Sequence, residues 1–157
     1  MGGHVFLIAG EASGDLLGAR LMAAMKESDP DVRFSGVGGQ LMAAEGLVSL
    51  IPIEELALHG FVEVLKHIPN VLRRVNEVVE AISSDLPDVL VTIDAPGFSL
   101  RVARKVKPLG VPLVHYVAPT VWAWRPRRAK KISSYLDHLL TLFDFEPSYF
   151  TKHGLKA

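Results

Sequence analysis

Residues 87–94 read PDVLVTID. A proline precedes a short run of apolar, mostly β-branched residues, and a carboxylate closes it. Such a run is too short for a helix and too uniformly apolar for a half-solvated strand, so it reads as a strand buried on both faces. Similar runs recur along the chain. VFLIAG (5–10), DVRFSGVG (31–38), VPLVHYV (111–117) and DHLLTLF (137–143) are read as strands, and LVSLIPIEEL (47–56) as a shorter extended piece interrupted by Pro52.

Helical patterns lie between these runs. Residues 13–27 place Leu17, Leu21, Ala24 and Met25 on one face, with Ser13 as a candidate N-cap. A short helix is expected from about Gln40 to Glu45. A long helix is expected from Gly60 to Ser84, broken at Pro69, and another over 97–110, stopped by Pro108 and Gly110. RPRRAKKISSYL carries Pro126 in a first turn, and EPSYFTKHG begins a last helix. Strands alternating with helices specify an α/β fold: a doubly wound, mostly parallel sheet with helices on both faces. No internal repeat, low-complexity tract or linker divides the chain, so residues 1–157 are expected to form a single domain. A helix leading into GLKA should deliver a further strand, which points to a longer protein.

Ligands of such sheets bind beyond the carboxyl ends of the strands. That rule selects three loops: GEASGD (10–15), DAPGF (94–98) and APTVWAWR (118–125). In the first, the amides of a strand–turn–helix can face an anion, or Gly10 and Gly14 serve only a tight turn. Glu11 and Asp15 would repel a nearby phosphate, which favours a sugar hydroxyl as the partner. No Gly-Lys-Ser/Thr follows, and in GVGGQL the third glycine of a dinucleotide fingerprint is replaced by Leu41. In the second loop, Asp94 either acts as a general base at the mouth of a site or caps the following helix. In the third, Trp122 and Trp124 precede Arg125, Arg127, Arg128, Lys130 and Lys131.

Rigid aromatic surface beside positive charge suits nucleic acid, an anionic membrane or a phosphorylated ligand. Lys plus Arg and Asp plus Glu are 17 each, and that balance argues against a dedicated nucleic-acid-binding domain. The absence of cysteine excludes disulfides and thiolate chemistry, and no histidine pair has a metal-ligand spacing. No metal or cofactor is therefore expected. Phe61, Val64, Leu65 and Ile68 form an amphipathic stripe flanked by Lys66, His67, Arg73 and Arg74. Val71, Val75, Val78, Val79 and Ile82 form a second stripe beyond Pro69. One of them belongs to the core. The other is a candidate for contact with an anionic membrane interface.

GEASGD, IDAPGF and HYVAPTVWAWRPRR, in this order, resemble the motifs of the lipid-A-disaccharide synthases, as do GVGGQLMAAEG and IEELALHGFVEVL between them. The resemblance covers nearly the whole chain and corresponds to the N-terminal half of those enzymes. It implies an inverting glycosyltransferase of two Rossmann-like domains, here without its C-terminal nucleotide-sugar domain. Its substrates would be UDP-diacylglucosamine and diacylglucosamine 1-phosphate, with UDP released. It also implies a cytoplasmic protein associated peripherally with the inner membrane of a Gram-negative bacterium. Under this resemblance Asp94 is the candidate base toward the acceptor 6-hydroxyl. Gly10, Glu11, Ser13, Gly14, Asp15, Pro96, Trp122, Trp124 and Arg125 are candidate substrate contacts, and Phe61, Val64, Leu65 and Ile68 candidate membrane contacts. The chain departs from the family at Gly97 and Ser99, where a second Asp and an Asn are frequent. A non-catalytic, flavodoxin-like binding module is the alternative reading.

Overall fold

Five short runs pair edge to edge into one sheet, every pair parallel. The structure is a computed structural model that describes residues 2–56, 61–120 and 126–157, with backbone only for 61–67 and 126. The strands are β1 (His4–Ala9), β2 (Arg33–Val37), β3 (Val89–Ile93), β4 (Leu113–Tyr116) and β5 (His138–Leu140). Between them run α1 (Ala12–Ser28), α2 (Gln40–Ala44), α3 (Phe61–Ser84), α4 (Pro96–Val106) and α5 (Pro126–Ser133). The short α6 (Ser148–Thr151) follows β5.

Strand order is β2-β1-β3-β4-β5. The chain therefore leaves β1 toward one edge and returns to continue on the other side, and the crevice of such a sheet opens between β1 and β3. Alternation along the buried strands feeds two cores. Phe6, Ile8, Leu90, Leu113 and Leu139 pack against α3, α4 and α5 residues such as Val78, Ile82, Ala103 and Ile132. Leu7, Ala9, Val91 and Ile93 pack with Met22 and Met42 of α1 and α2. The doubly wound reading holds.

Several local expectations change. Residues 47–56 do not form a strand. Ser49 makes one isolated parallel bridge to Gly36, and a 3-10 turn runs over Ile53–Glu55, while Leu47, Ile51 and Leu56 are buried. Pro52, lacking an N–H, immediately precedes that turn. The long helix is continuous through Pro69, which lies on its exposed side, so the missing hydrogen bond falls toward water. Its second stripe is the core one: Val75, Val78 and Ile82 are fully buried. In α1 the buried line is Gly14–Gly18–Met22, with Leu17, Leu21 and Met25 on its flank and Ala24 exposed. A Cβ on Gly18 would lie 2.5 Å from the Met42 sulfur, so the small residue sets how closely α1 and α2 approach. Beside β5, the Leu139 amide donates to the Lys156 carbonyl at 2.8 Å, in an isolated parallel bridge between His138 and Lys156.

Candidate functional site

The loops after β1 and β3 meet at the crevice, and their contact depends on missing side chains. A Cβ on Gly10 would stand 2.6 Å from the Ala95 Cβ. One on Gly14 would stand 3.3 Å from both the Ala9 Cβ and the Ile93 carbonyl oxygen. These glycines serve close approach of two loops more than a tight turn: neither has a positive φ.

Three non-glycine residues occupy the left-handed region among the described residues: Asp94 (φ 48°), Ala95 (φ 41°) and Val117 (φ 75°). All three sit just past the carboxyl ends of β3 and β4. Such conformations cost about 1–3 kcal/mol each and are held only where the surroundings over-determine them. Here the ladder does so. The Asp94 amide donates to the Tyr116 carbonyl, and the Val117 amide to the Leu140 carbonyl, each at 2.9 Å. No turn residue such as Asn or Gly at 95 or 117 announced this bend.

Asp94 does not cap α4. The N-cap position is Ala95, with no side-chain cap. Instead, Asp94 Oδ2 lies 3.2 Å from the Ser13 hydroxyl, which is also 2.9 Å from Glu11 Oε1. Ser13 has one proton to donate, so the two carboxylates share a single donor. Asp94 Oδ1 has no hydrogen-bond partner among the described residues. Ser13 is not the N-cap of α1 either: Glu11 takes that position, without a side-chain cap bond. Glu11 and Ser13 are exposed and Asp94 is half-buried, so the group is open to a ligand.

Asp15 has a different task. It is buried and accepts the amides of Gly39, Leu41 and Met42 at 2.9–3.0 Å. Its carboxylate neutralises the amino end of α2 and ties the loop after β2 to α1. The expectation that it contacts substrate does not match this geometry.

Behind Asp94 lies His115, fully buried on β4, with Nδ1 2.7 Å from the Thr92 hydroxyl. Burial pulls its pKa down to about 4, against the opposing pull of the Asp94 carboxylate and the Val117 backbone. It is therefore a neutral packing partner of the strand ends at neutral pH. No group of residues suited to hold a metal ion occurs among the described residues.

Trp122, Trp124 and Arg125 lie outside the described residues, as do the side chains of Phe61, Val64 and Leu65. Ile68 is exposed, as is Leu72 one turn on. Arg74 is not free for an external anion: it pairs with Glu55 at 2.6 Å and Glu77 at 2.7 Å. Pro96 lines a cleft of about 830 Å³ between α3, α4 and α5. The sequence reading did not single out three cations of that cleft, Arg101, Arg104 and Lys105. Their i, i+3, i+4 spacing on α4 was the available signal.

The family model for lipid-A-disaccharide synthetase matches residues 5–157. The chain is 54% identical to the lipid-A-disaccharide synthase of Paramagnetospirillum magneticum over 98% of its own length and 40% of that protein's. It is 53% identical to that of Rhodospirillum centenum over 96% of its length and 38% of that protein's. The chain thus spans about two fifths of the curated relatives it matches. Among solved structures, the UDP-N-acetylglucosamine 2-epimerase of Rickettsia bellii superposes with a TM-score of 0.64 at 19% identity, covering 100% of this chain and 43% of that one. The MnaA–UDP complex of S. aureus does so with 0.68 at 12% identity, covering 99% and 43%. At these identities the likeness is one of fold.

Proposed function

The chain belongs to the lipid-A-disaccharide synthetase family, and on that premise we propose that it forms the acceptor-side half of an inverting glycosyltransferase. The substrates in this reading are UDP-diacylglucosamine and diacylglucosamine 1-phosphate. Asp94 takes the proton of the acceptor 6-hydroxyl. The freed oxygen forms a bond to C1 of the donor sugar from the face opposite UDP, and the C1–O bond to phosphate breaks with its electron pair leaving on UDP. The observation that carries this reading is the placement of Asp94. It sits at the crevice between β1 and β3 on strained backbone, with one oxygen beside Ser13 and the other unpartnered among the described residues.

Each other part has a role in this reading. Glu11 and Ser13 line the same mouth and suit sugar hydroxyls. Trp122 and Trp124 suit sugar faces, and Arg125 a phosphate. The donor nucleotide is held by a second domain, in the part of the relatives that this chain does not span. No helix among the described residues is long and apolar enough to cross a membrane. A diacylated acceptor leaves the bilayer only at a cost of about 0.8 kcal/mol per methylene exposed. In this reading the protein works at the cytoplasmic face of the inner membrane, with the α3 stripe of Phe61, Val64, Leu65 and Ile68 entering the interface.

The test is acceptor-dependent UDP release by the full-length protein. Loss of a general base typically lowers rate by about 100- to 10,000-fold. Asp94→Asn retaining more than a tenth of wild-type turnover refutes the assignment of the base. A wild-type protein that releases no UDP refutes the reaction.

A further inference from the structure

Of the nine lysines and arginines outside the α3–α4–α5 cleft whose side chains are described, five are paired with carboxylates: Lys26 with Glu45, Arg33 with Asp85, Arg73 with Glu77, Arg74 with Glu55 and Glu77, and Lys107 with Asp137. In the cleft, six cations gather and none is so paired. Arg101, Arg104 and Lys105 enter it from α4, and Arg127, Arg128 and Lys131 from α5. No Asp or Glu among the described residues lines it. None of the six forms an ion pair among the described residues, and Lys105 alone has a side-chain partner there, the neutral Asn76 amide oxygen at 2.6 Å. In a chain with 17 acidic and 17 basic residues, six cations gathered without a counter-charge repel one another. A bound anion relieves that repulsion.

The cleft has the size of a small-molecule site, about 830 Å³. Its floor is apolar, with Leu72 and Val75 of α3, Leu100 of α4 and Ile132 of α5. Four of the six cations are arginines, whose planar forks match phosphate oxygens. Position links the cleft to the crevice. Pro96 and Gly97 form part of its wall, and a Cβ on Gly97 would meet nothing within 4 Å, so the wall is open there. Asp94 is two residues upstream, within about 7 Å along the chain. Arg104 is eight residues along α4 from Pro96, roughly 12 Å down the helix.

We propose that this cleft is a phosphate-monoester subsite that seats the phosphate of the acceptor, with the apolar floor under the lipid-bearing part of the same molecule. The proposal rests on the transferase reading above for the identity of the acceptor, and on the cleft alone for its anion chemistry. A recess of this volume, in place of an extended basic surface, fits one phosphorylated amphiphile better than a nucleic-acid strand.

The test uses the full-length protein carrying Arg104→Gln, Arg128→Gln or both. These positions are exposed, so the variants should fold. Two measurements decide. The first is kcat/KM for diacylglucosamine 1-phosphate relative to the same acceptor without its phosphate. That ratio should fall about tenfold per arginine removed, the usual worth of a charge-assisted hydrogen bond. The second is direct titration with hexyl phosphate against hexanol, in which the phosphate-dependent affinity should fall by the same factors. An unchanged ratio with active enzyme, or equal loss on both acceptors, overturns the proposal. So does a defect seen only with phosphatidylglycerol vesicles or a single-stranded oligonucleotide and not with hexyl phosphate. If the wild type releases no UDP, the transferase reading fails, and the hexyl phosphate titration still decides whether the cleft binds a phosphate monoester.

Discussion

The Ser13 hydroxyl lies 3.2 Å from Asp94 Oδ2, joining the first turn of α1 to the loop after β3 across 81 residues of sequence. The contact holds the carboxylate beside the crevice without capping any helix. Ser13→Ala should loosen the carboxylate and lower turnover of the full-length protein by roughly tenfold, less than Asp94→Asn. Combined with Asp94→Asn it should add almost nothing, because the two act through one group. Steady-state kinetics of the two single variants and the double variant check this; an additive double variant refutes the coupling.

Gly10 and Ala95 are set for mutual approach. Gly10→Ala would bring two β-carbons within 2.6 Å and force the loops apart, at a cost of about 1–3 kcal/mol. Ala95→Gly in the same chain should recover most of that, since it removes the clashing atom. It also frees a left-handed position that costs an alanine about 1 kcal/mol. Urea denaturation of the four-member cycle measures both effects. Failure of Ala95→Gly to rescue Gly10→Ala would show that the clash is not with Ala95.

The buried His115 makes stability depend on pH. Its folded pKa, about 4, lies below the ordinary value of 6.5, so the unfolded chain binds the extra proton first as pH falls. The contribution is fully present above pH 6.5 and is lost as pH drops from 6.5 through 4. Its size is on the order of 3 kcal/mol. His115→Gln should flatten the melting-temperature profile over that interval. A profile as steep as wild type would assign the acid sensitivity to other groups.

On α3, Ile68 is exposed while Val75, Val78 and Ile82 are fully buried. Ile68→Ser should leave the melting temperature within about 1–2 °C, as expected of an exposed position. It should weaken cosedimentation with anionic vesicles severalfold if this end of the helix enters the interface. A large drop in melting temperature with unchanged vesicle binding would place Ile68 in the core.

Residue pattern alone was enough to specify the sheet. Runs such as VLVTI and HVFLIA are too apolar on both faces to be anything but covered strands, and Asp94 was marked by standing at the end of one. Periodicity also marked two apolar stripes on α3, and only packing showed that Val75, Val78 and Ile82 of the second belong to the core. Tertiary structure decided what no local pattern carries. Asp15 looks like a loop carboxylate until Gly39, the N-cap of α2, arrives 24 residues later and the amides of Gly39, Leu41 and Met42 fill both oxygens. Residues 47–56 have the composition of a strand, yet Pro52 and the packing of Leu47, Ile51 and Leu56 leave them a single bridge. Pro69 stops a helix in isolation; here packing of the following turns on the core keeps α3 continuous, with the lost bond facing water. The cation cleft is of the same kind. Its two triads lie on helices separated in sequence by a strand and a loop, and each alone reads as a solvated helix face. The parallel crossovers bring them together across one recess, and charge acts through the space between residues, which the sequence order does not encode.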